Sequence, residues 1–374
     1  MTGVIEFVAV GDVAPDRETP ATIFDRVRAR LQRADLGFCQ LEVNLTTRGV
    51  RLPQARHTMR GDPAIADALV DAGLEVVSFA GNHCMDWGTD GLADTLMHLE
   101  RAGAVQVGTG PSIAQARSPA IVERNGVRVA IVAVNSILPM NYWAEDNRAG
   151  CAPMRAFTVY EQVEHDQPGT PARIHTYSHR PDLDALLQSI RDARRQADIV
   201  ILSHHAGIHF TPAIVPDYQR EVAHAAIDAG ADLVLGHHAH ILKGIEVYKG
   251  KVIAHSLANF AIDLRMDEAH AQSKGFREIQ KLNPDWVPDF GSRYNFPPDS
   301  AMSMMVEARL SKQGVSDLRF VPVWIDRDAD PKIVAAGDDR FGRIHGYLQA
   351  ITDEAELGSR IVADGDVLRV EAAG

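Results

Sequence analysis

Six of the sixteen histidines fall in two short windows, SHHAGIH at 203–209 and GHHAH at 236–240. The first holds His204, His205 and His209, and the second His237, His238 and His240. Neutral imidazoles ligate transition metals, and near neutral pH they also carry protons. Oxygen donors accompany them: Asp12, Gln40, Glu42, and Asn82 beside His83 in AGNHCMDWG. Such a nitrogen and oxygen inventory suits one or two divalent ions of Mn, Fe, Zn or Co, and affinity order alone does not choose among these. The same groups without a metal can act as general acid and base. Each also has a plainer use: Asp12 as a cap on the next turn, Asn82 as a turn residue, His204 and His237 as structural neighbours of the site. Arg17, after the first apolar run, is a candidate for touching substrate.

These residues need elements that bring them together. Residues 5–10 (IEFVAV), 36–39, 75–79, 198–202 and 232–235 read as buried strands, each directly preceding one of the polar groups. Helical spacing appears at 21–33, 63–72, 89–102, 183–197 and 219–229. Alternation of this kind predicts an α/β fold with a largely parallel sheet. Ligands of such sheets sit at the carboxyl ends of the strands, so both histidine windows are expected to face one crevice. Towards the back, 243–248 and 251–255 read as a hairpin about Lys249-Gly250. Residues 302–309 and 316–323 read as another, turning at Gln313-Gly314, so a second, more antiparallel sheet is expected. A last helix is expected at 339–354. Residues 136–178 and 261–300 lack periodicity and hold prolines and aromatics, which points to lids. Trp143, Trp286 and Phe290 are their candidate apolar walls.

Laid end to end, several segments resemble the CapA family, the poly-γ-glutamate capsule biosynthesis proteins, and through it the calcineurin-like metallophosphoesterases. They are GDV at 11–13, LE at 41–42, GNHCMDWG at 81–88, HAGIH at 205–209, GHHAH at 236–240 and KGIEVYKGKVIAHSLANF at 243–260. The resemblance implies a four-layer α-β-β-α sandwich of two mixed sheets. One domain is expected over 1–330, carrying the two insertions, with 331–374 as a helical extension packed on it. The resemblance also implies a two-metal centre. Asp12 and His240 would hold the first ion, Asn82, His205 and His238 the second, and Glu42 would bridge both. A metal-bound water would be the nucleophile. His83 would protonate the leaving group, oriented by Asp86. Three positions depart from the pattern. Ala14 stands where the phosphoesterases have a histidine, Gln40 where the family has Asn, and His209 where a glutamate is common. His209 could supply a nitrogen; Gln40, His204, His237, Arg17 and Trp143 are further candidates for ligand or substrate contacts.

Composition narrows the function. The chain has 374 residues and a net charge of −12, which disfavours nucleic acid and anionic membranes as partners. No run of about 18 apolar residues occurs, so no membrane span is expected, and no basic leader is visible. Cys39, Cys84 and Cys151 form no CxxC pair, in keeping with a reduced, cytoplasmic setting. The expectation is a cytoplasmic metal-dependent hydrolase acting on a small-molecule or peptide-like substrate. Few cations follow the strands beyond Arg17 and Lys243, which tilts the bond towards an amide, peptide or ester, with a γ-glutamyl amide or a phosphoester also open. Two other functions remain: a metal-independent epimerase, isomerase or lyase, and a non-catalytic accessory of polymer biosynthesis. Oligomeric state is not legible.

Overall fold

The computed structural model describes residues 3–55, 58–164 and 169–373. Two mixed sheets carry the fold. The strand Val4–Ala14, buried along most of its length, lies inside a ten-stranded sheet. It runs parallel to Leu36–Leu41 and Asn259–Ile262 and antiparallel to Met302–Ser311. Val76–Ser78 and Val105–Val107 extend one side of this sheet in parallel. The six-stranded sheet is ordered Ile245–Tyr248, Lys251–Ala254, Leu233–His237, Ile199–His205, Val127–Asn135, Ala120–Arg124. Its middle four strands are parallel.

Side-chain alternation along a strand decides which layer each residue enters. Ile199 and Ile201 join the core shared with Ile5 and Phe7 of the large sheet. Val200 and Leu202 point the other way, onto Leu186 and Ile190 of the helix Arg180–Arg194 and Val222 of the helix Asp217–Ala229. A strand apolar on both faces is the mark of a sheet covered on both sides. Helices Ala64–Asp71, Gly88–Ala102 and Asp339–Glu354 add Leu69, Leu92 and Leu348 to the main core from the opposite side. The architecture is the α-β-β-α sandwich of two mixed sheets.

Several local expectations change. Residues 21–33 form a 3-10 turn, Pro20–Phe24, and a single helical turn, Arg28–Leu31. The apolar spacing is helical, with Ile23, Phe24, Val27 and Leu31 buried. However, β-branched Thr22, Ile23 and Val27 crowd a helix too short to propagate. The two back hairpins do not share a sheet. Lys251–Ala254 pairs with Leu233–His237, whereas Met302–Ser311 pairs with the first strand. The second hairpin turns at Lys312-Gln313, since Ser311 pairs with Gly314. Residues 331–374 are not wholly helical. After Asp339–Glu354 the chain forms a hairpin, Ser359–Asp364 with Val367–Ala372, at the edge of the large sheet.

The two aperiodic segments carry structure of their own. Within 136–178 a hairpin pairs Ala156–Glu161 with Arg173–Ser178; residues 165–168 lie outside the described part. Within 261–300 two short helices, Glu268–Ala271 and Lys274–Gln280, lead to Trp286. Trp286 packs with Phe210, Met266 and Phe276 in a small separate core. Among the described residues no helix is long and apolar enough to cross a membrane.

Candidate metal centre

Two glycines let the strands close on the site. A Cβ on Gly11 would stand 1.9 Å from the Ala258 carbonyl, and one on Gly236 would stand 2.0 Å from the His255 carbonyl. Both contacts are far inside van der Waals distance, so only glycine fits. Asp12 follows Gly11 at a register shift of the first strand, level with Gln40 on one side and Asn259 on the other. His205 ends its strand opposite His237. The loop beyond is not extended: His238 has φ 89° and His240 φ 55°. Left-handed backbone at non-glycine residues costs about 1–3 kcal/mol each and is kept where surrounding contacts over-determine it. Here the His238 amide donates to Asp12 Oδ2 at 3.0 Å, and His240 Nδ1 meets Asn259 Oδ1 at 2.7 Å.

The structure draws six sequence-predicted residues into one cluster. Glu42 is central: Oε1 is 3.1 Å from His205 Nε2, and Oε2 is 3.7 Å from His240 Nε2. His240 Nδ1 is 3.8 Å from Asp12 Oδ2. Asn82 Oδ1 faces His205 Nε2 at 2.7 Å and His238 Nδ1 at 3.1 Å. Two sets of donors result, Glu42/His205/His238 and Asp12/Glu42/His240, each with its atoms within 4.8 Å of one another. Asp12 Oδ1, Gln40 Oε1, Glu42 Oε1 and His205 Nδ1 are buried with no hydrogen bond. Buried polar atoms are rarely left so. The unpartnered carboxylate oxygens, together with the imidazole nitrogens of the two sets, fit divalent cations, with Glu42 common to both positions.

Electrostatics agree with that fit. Burial pushes Glu42 up to about 7, helped by the Asp12 charge. Burial acts on Asp12 in the same sense, but His237, His205 and His240 outweigh it and hold that carboxyl below its usual range. Burial pushes His205 down to about 4 and His204 to about 3. His238 falls well below its ordinary value through burial and the surrounding imidazoles. Neutral imidazole is the form that ligates metal.

His83 differs. Burial would lower its pKa, but the hydrogen bond and charge of Asp86 raise it. His83 Nδ1 meets Asp86 Oδ2 at 2.7 Å, and the Tyr142 hydroxyl donates to Asp86 Oδ1 at 2.8 Å. Tyr142 is fully buried. Sequence reasoning passed over it, and its only signal was an aromatic within a loop suspected of function. Asn259 was also missed, although it lies in the LANF end of a family segment. Its Nδ2 donates to the Tyr294 hydroxyl at 2.8 Å, tying the 261–300 segment to His240.

The remaining candidates separate. The His209 ring lies 3.9 Å from that of His238 and 5.1 Å from that of His240, centre to centre, yet belongs to neither donor set. His204 Nε2 bonds the Ser136 hydroxyl at 2.8 Å. Gln40 turns its Nε2 to the Leu41 carbonyl at 3.1 Å. Arg17 is not aimed at the centre: its guanidinium holds Asp263 at 2.9 and 3.0 Å and Asp330 at 3.0 Å. Trp143 lines a separate cavity of about 450 Å³ with Arg117, Glu145 and Arg155. Trp286 is interior to its own cluster and Phe290 is exposed, so neither stands as a wall of the centre.

A two-sheet α/β protein with a buried histidine–carboxylate centre where strands end is the class that fold and site define. The chain belongs to the family described as bacterial capsule synthesis protein PGA_cap, which matches residues 6–264. It is 32% identical to the PGA biosynthesis protein CapA of Bacillus subtilis over 196 residues, covering 52% of this chain and 44% of that protein. It is 31% identical to the capsule biosynthesis protein CapA of Bacillus anthracis over 297 residues, covering 78% and 57%. The match thus spans about half the length of these curated relatives. Among solved structures, the calcineurin-like phosphoesterase YfkN from Bacillus subtilis aligns with a TM-score of 0.37 at 11% identity, over 95% of this chain and 99% of that one.

Proposed function

We propose that this chain is a metal-dependent hydrolase of an amide, peptide or ester bond. The observation that carries the reading is Glu42, shared between two donor sets and buried with an Oε1 that has no hydrogen bond. Asp12, Glu42 and His240 would hold one divalent ion, and Glu42, Asn82, His205 and His238 the other. Two such ions supply, when bound, a nucleophile from water and a clamp on attacking and leaving oxygens. The chain's own residues do the rest. Asp86 accepts from His83 Nδ1 and stabilises the imidazolium, which leaves the Nε2 proton as the one to transfer; the His83 side chain is 21% exposed. That proton goes to the leaving group. Tyr142 holds Asp86 from behind and keeps its plane fixed. The amide or ester preference draws support from the cations. Arg17 is neutralised by Asp263 and Asp330, and Lys243 Nζ donates to the carbonyls of Thr211 and Ile214. Neither is free to bind a phosphate.

The test is metal content by plasma mass spectrometry on wild type, Asp12→Ala and His238→Ala, purified without chelator. One or two equivalents of transition metal in the wild type, reduced in both variants, support the reading. No metal after reconstitution would sink it. Hydrolysis of γ-glutamyl p-nitroanilide against p-nitrophenyl phosphate then separates amide from phosphoester. The relatives are named as biosynthesis proteins and not as hydrolases, which favours a second reading, an accessory of capsule biosynthesis. A metal-loaded protein inert towards both substrates would favour that reading.

A further inference from the structure

Resting on the metal reading, we infer that His237 is the positioning residue of Asp12, and that it sets the affinity of the Asp12/Glu42/His240 half of the centre. His237 is fully buried, and neither of its ring nitrogens has a hydrogen bond. An imidazole always carries at least one N–H, so an interior position with both nitrogens unmade is one an apolar side chain would fill better. Its Nδ1 stands 3.5 Å from Asp12 Oδ1, which is also buried and unpartnered. The two orphaned atoms face each other. A contraction of about half an ångström makes them a charge-assisted hydrogen bond.

The other oxygen of Asp12 already accepts from the His238 amide at 3.0 Å. With His237 on Oδ1 and the His238 amide on Oδ2, consecutive residues of one strand end hold both oxygens and fix the carboxylate plane. His237 is absent from both donor sets, so it acts through Asp12 rather than on the ion. The donor-poor half of the centre is the one that needs this help. Position 14 is alanine, and the Asp12/Glu42/His240 set has a single imidazole, where the other set has two. Orienting partners of metal ligands are typically worth about 10- to 100-fold in affinity. The close packing of Gly236 on the His255 carbonyl and the pairing of His237 with His205 fix the backbone that carries the ring.

The experiment titrates metal-stripped full-length protein with Mn²⁺, following free Mn²⁺ by electron paramagnetic resonance, for wild type, His237→Phe and His237→Gln. Thermal unfolding in EDTA is measured alongside. The expected result is two sites in the wild type and a loss of about 10- to 100-fold at one of them in His237→Phe. His237→Gln, which keeps a side-chain N–H, recovers most of that loss. In EDTA the Phe variant melts near wild type, because loss of the Asp12 contact is offset by removal of the buried, unpartnered Nε2. Unchanged affinity at both sites of His237→Phe overturns this inference and leaves the metal reading intact. Equal weakening at both sites with a lowered melting point in EDTA makes His237 merely structural and also overturns it. A wild type that binds no Mn²⁺ overturns the metal reading, and this inference with it.

Discussion

Glu42→Gln should stabilise the metal-free protein and destabilise the metal-loaded one. Unfolded, Glu42 titrates near 4.5; folded and metal-free it is pushed up to about 7 by burial and the Asp12 charge. A raised carboxyl pKa means that the folded state holds the proton longer. Stability is then lost as pH rises from about 4.5 to about 7, and the loss is complete above that window. The difference corresponds to about 3 kcal/mol. Glutamine occupies the same volume without the charge, and its amide can donate to His205 Nε2 or His240 Nε2, which lie 3.1 and 3.7 Å from the glutamate oxygens. At roughly 2.1 cal/mol/K per residue, a chain of this length shifts its melting point by about 4 °C for 3 kcal/mol. In EDTA at pH 8 the variant should therefore melt about 4 °C above wild type, and at pH 5 the gap should nearly close. With metal the order reverses. An ion held at a thousand times its Kd stabilises by about 4 kcal/mol, and the variant loses the one ligand common to both positions. Calorimetry at two pH values, with and without Mn²⁺, checks this. A variant that melts below wild type in EDTA at pH 8, or that binds Mn²⁺ as wild type does, would refute the reasoning.

Asp86→Asn removes the charge that raises His83, so the alkaline limb of kcat against pH should move to lower pH. Tyr142→Phe keeps that charge but loses the bond that fixes Asp86, so activity should fall about 10-fold with the limb near its wild-type position. A limb unmoved in Asp86→Asn would remove His83 from the role of acid. Gly236→Ala places a Cβ 2.0 Å from the His255 carbonyl. It should cost about 4 kcal/mol or more, seen as a melting point lower by at least about 5 °C; a shift under about 1 °C would contradict the close approach. Lys243 is buried without a carboxylate, and burial pushes it down to about 8 from 10.5. Its folded form releases the proton first, so stability gains up to about 3 kcal/mol as pH rises from about 8 to 10.5. In Lys243→Met that gain should be absent when urea unfolding is compared at pH 7.5 and 10.5. An identical pH dependence in both proteins would place the ammonium in solvent.

Much of the fold and of the centre was legible because parallel strands covered on both faces read as apolar runs ended by a polar residue. Asp12, Glu42, Asn82, His205, His238 and His240 all follow such runs, and the ends of neighbouring strands must lie side by side. The helical spacing of Leu183, Leu186 and Ile190 was equally local, because one stripe must face the sheet. The sheet each hairpin joins was not local. Lys251–Ala254 and Met302–Ser311 go to different sheets because their long-range partners, Leu233–His237 and Val4–Ala14, differ. Arg17 looked free until Asp263 and Asp330, far along the chain, met its guanidinium. Tyr142 reached Asp86 across 56 residues. The left-handed backbone at His238 and His240 was not visible in their spacing. The sequence by itself determined which residue types stand at the strand ends, because burial and alternation act over a few residues. Tertiary structure decided which nitrogen meets which oxygen, because those contacts depend on long-range pairing and on loop conformations that no short stretch encodes.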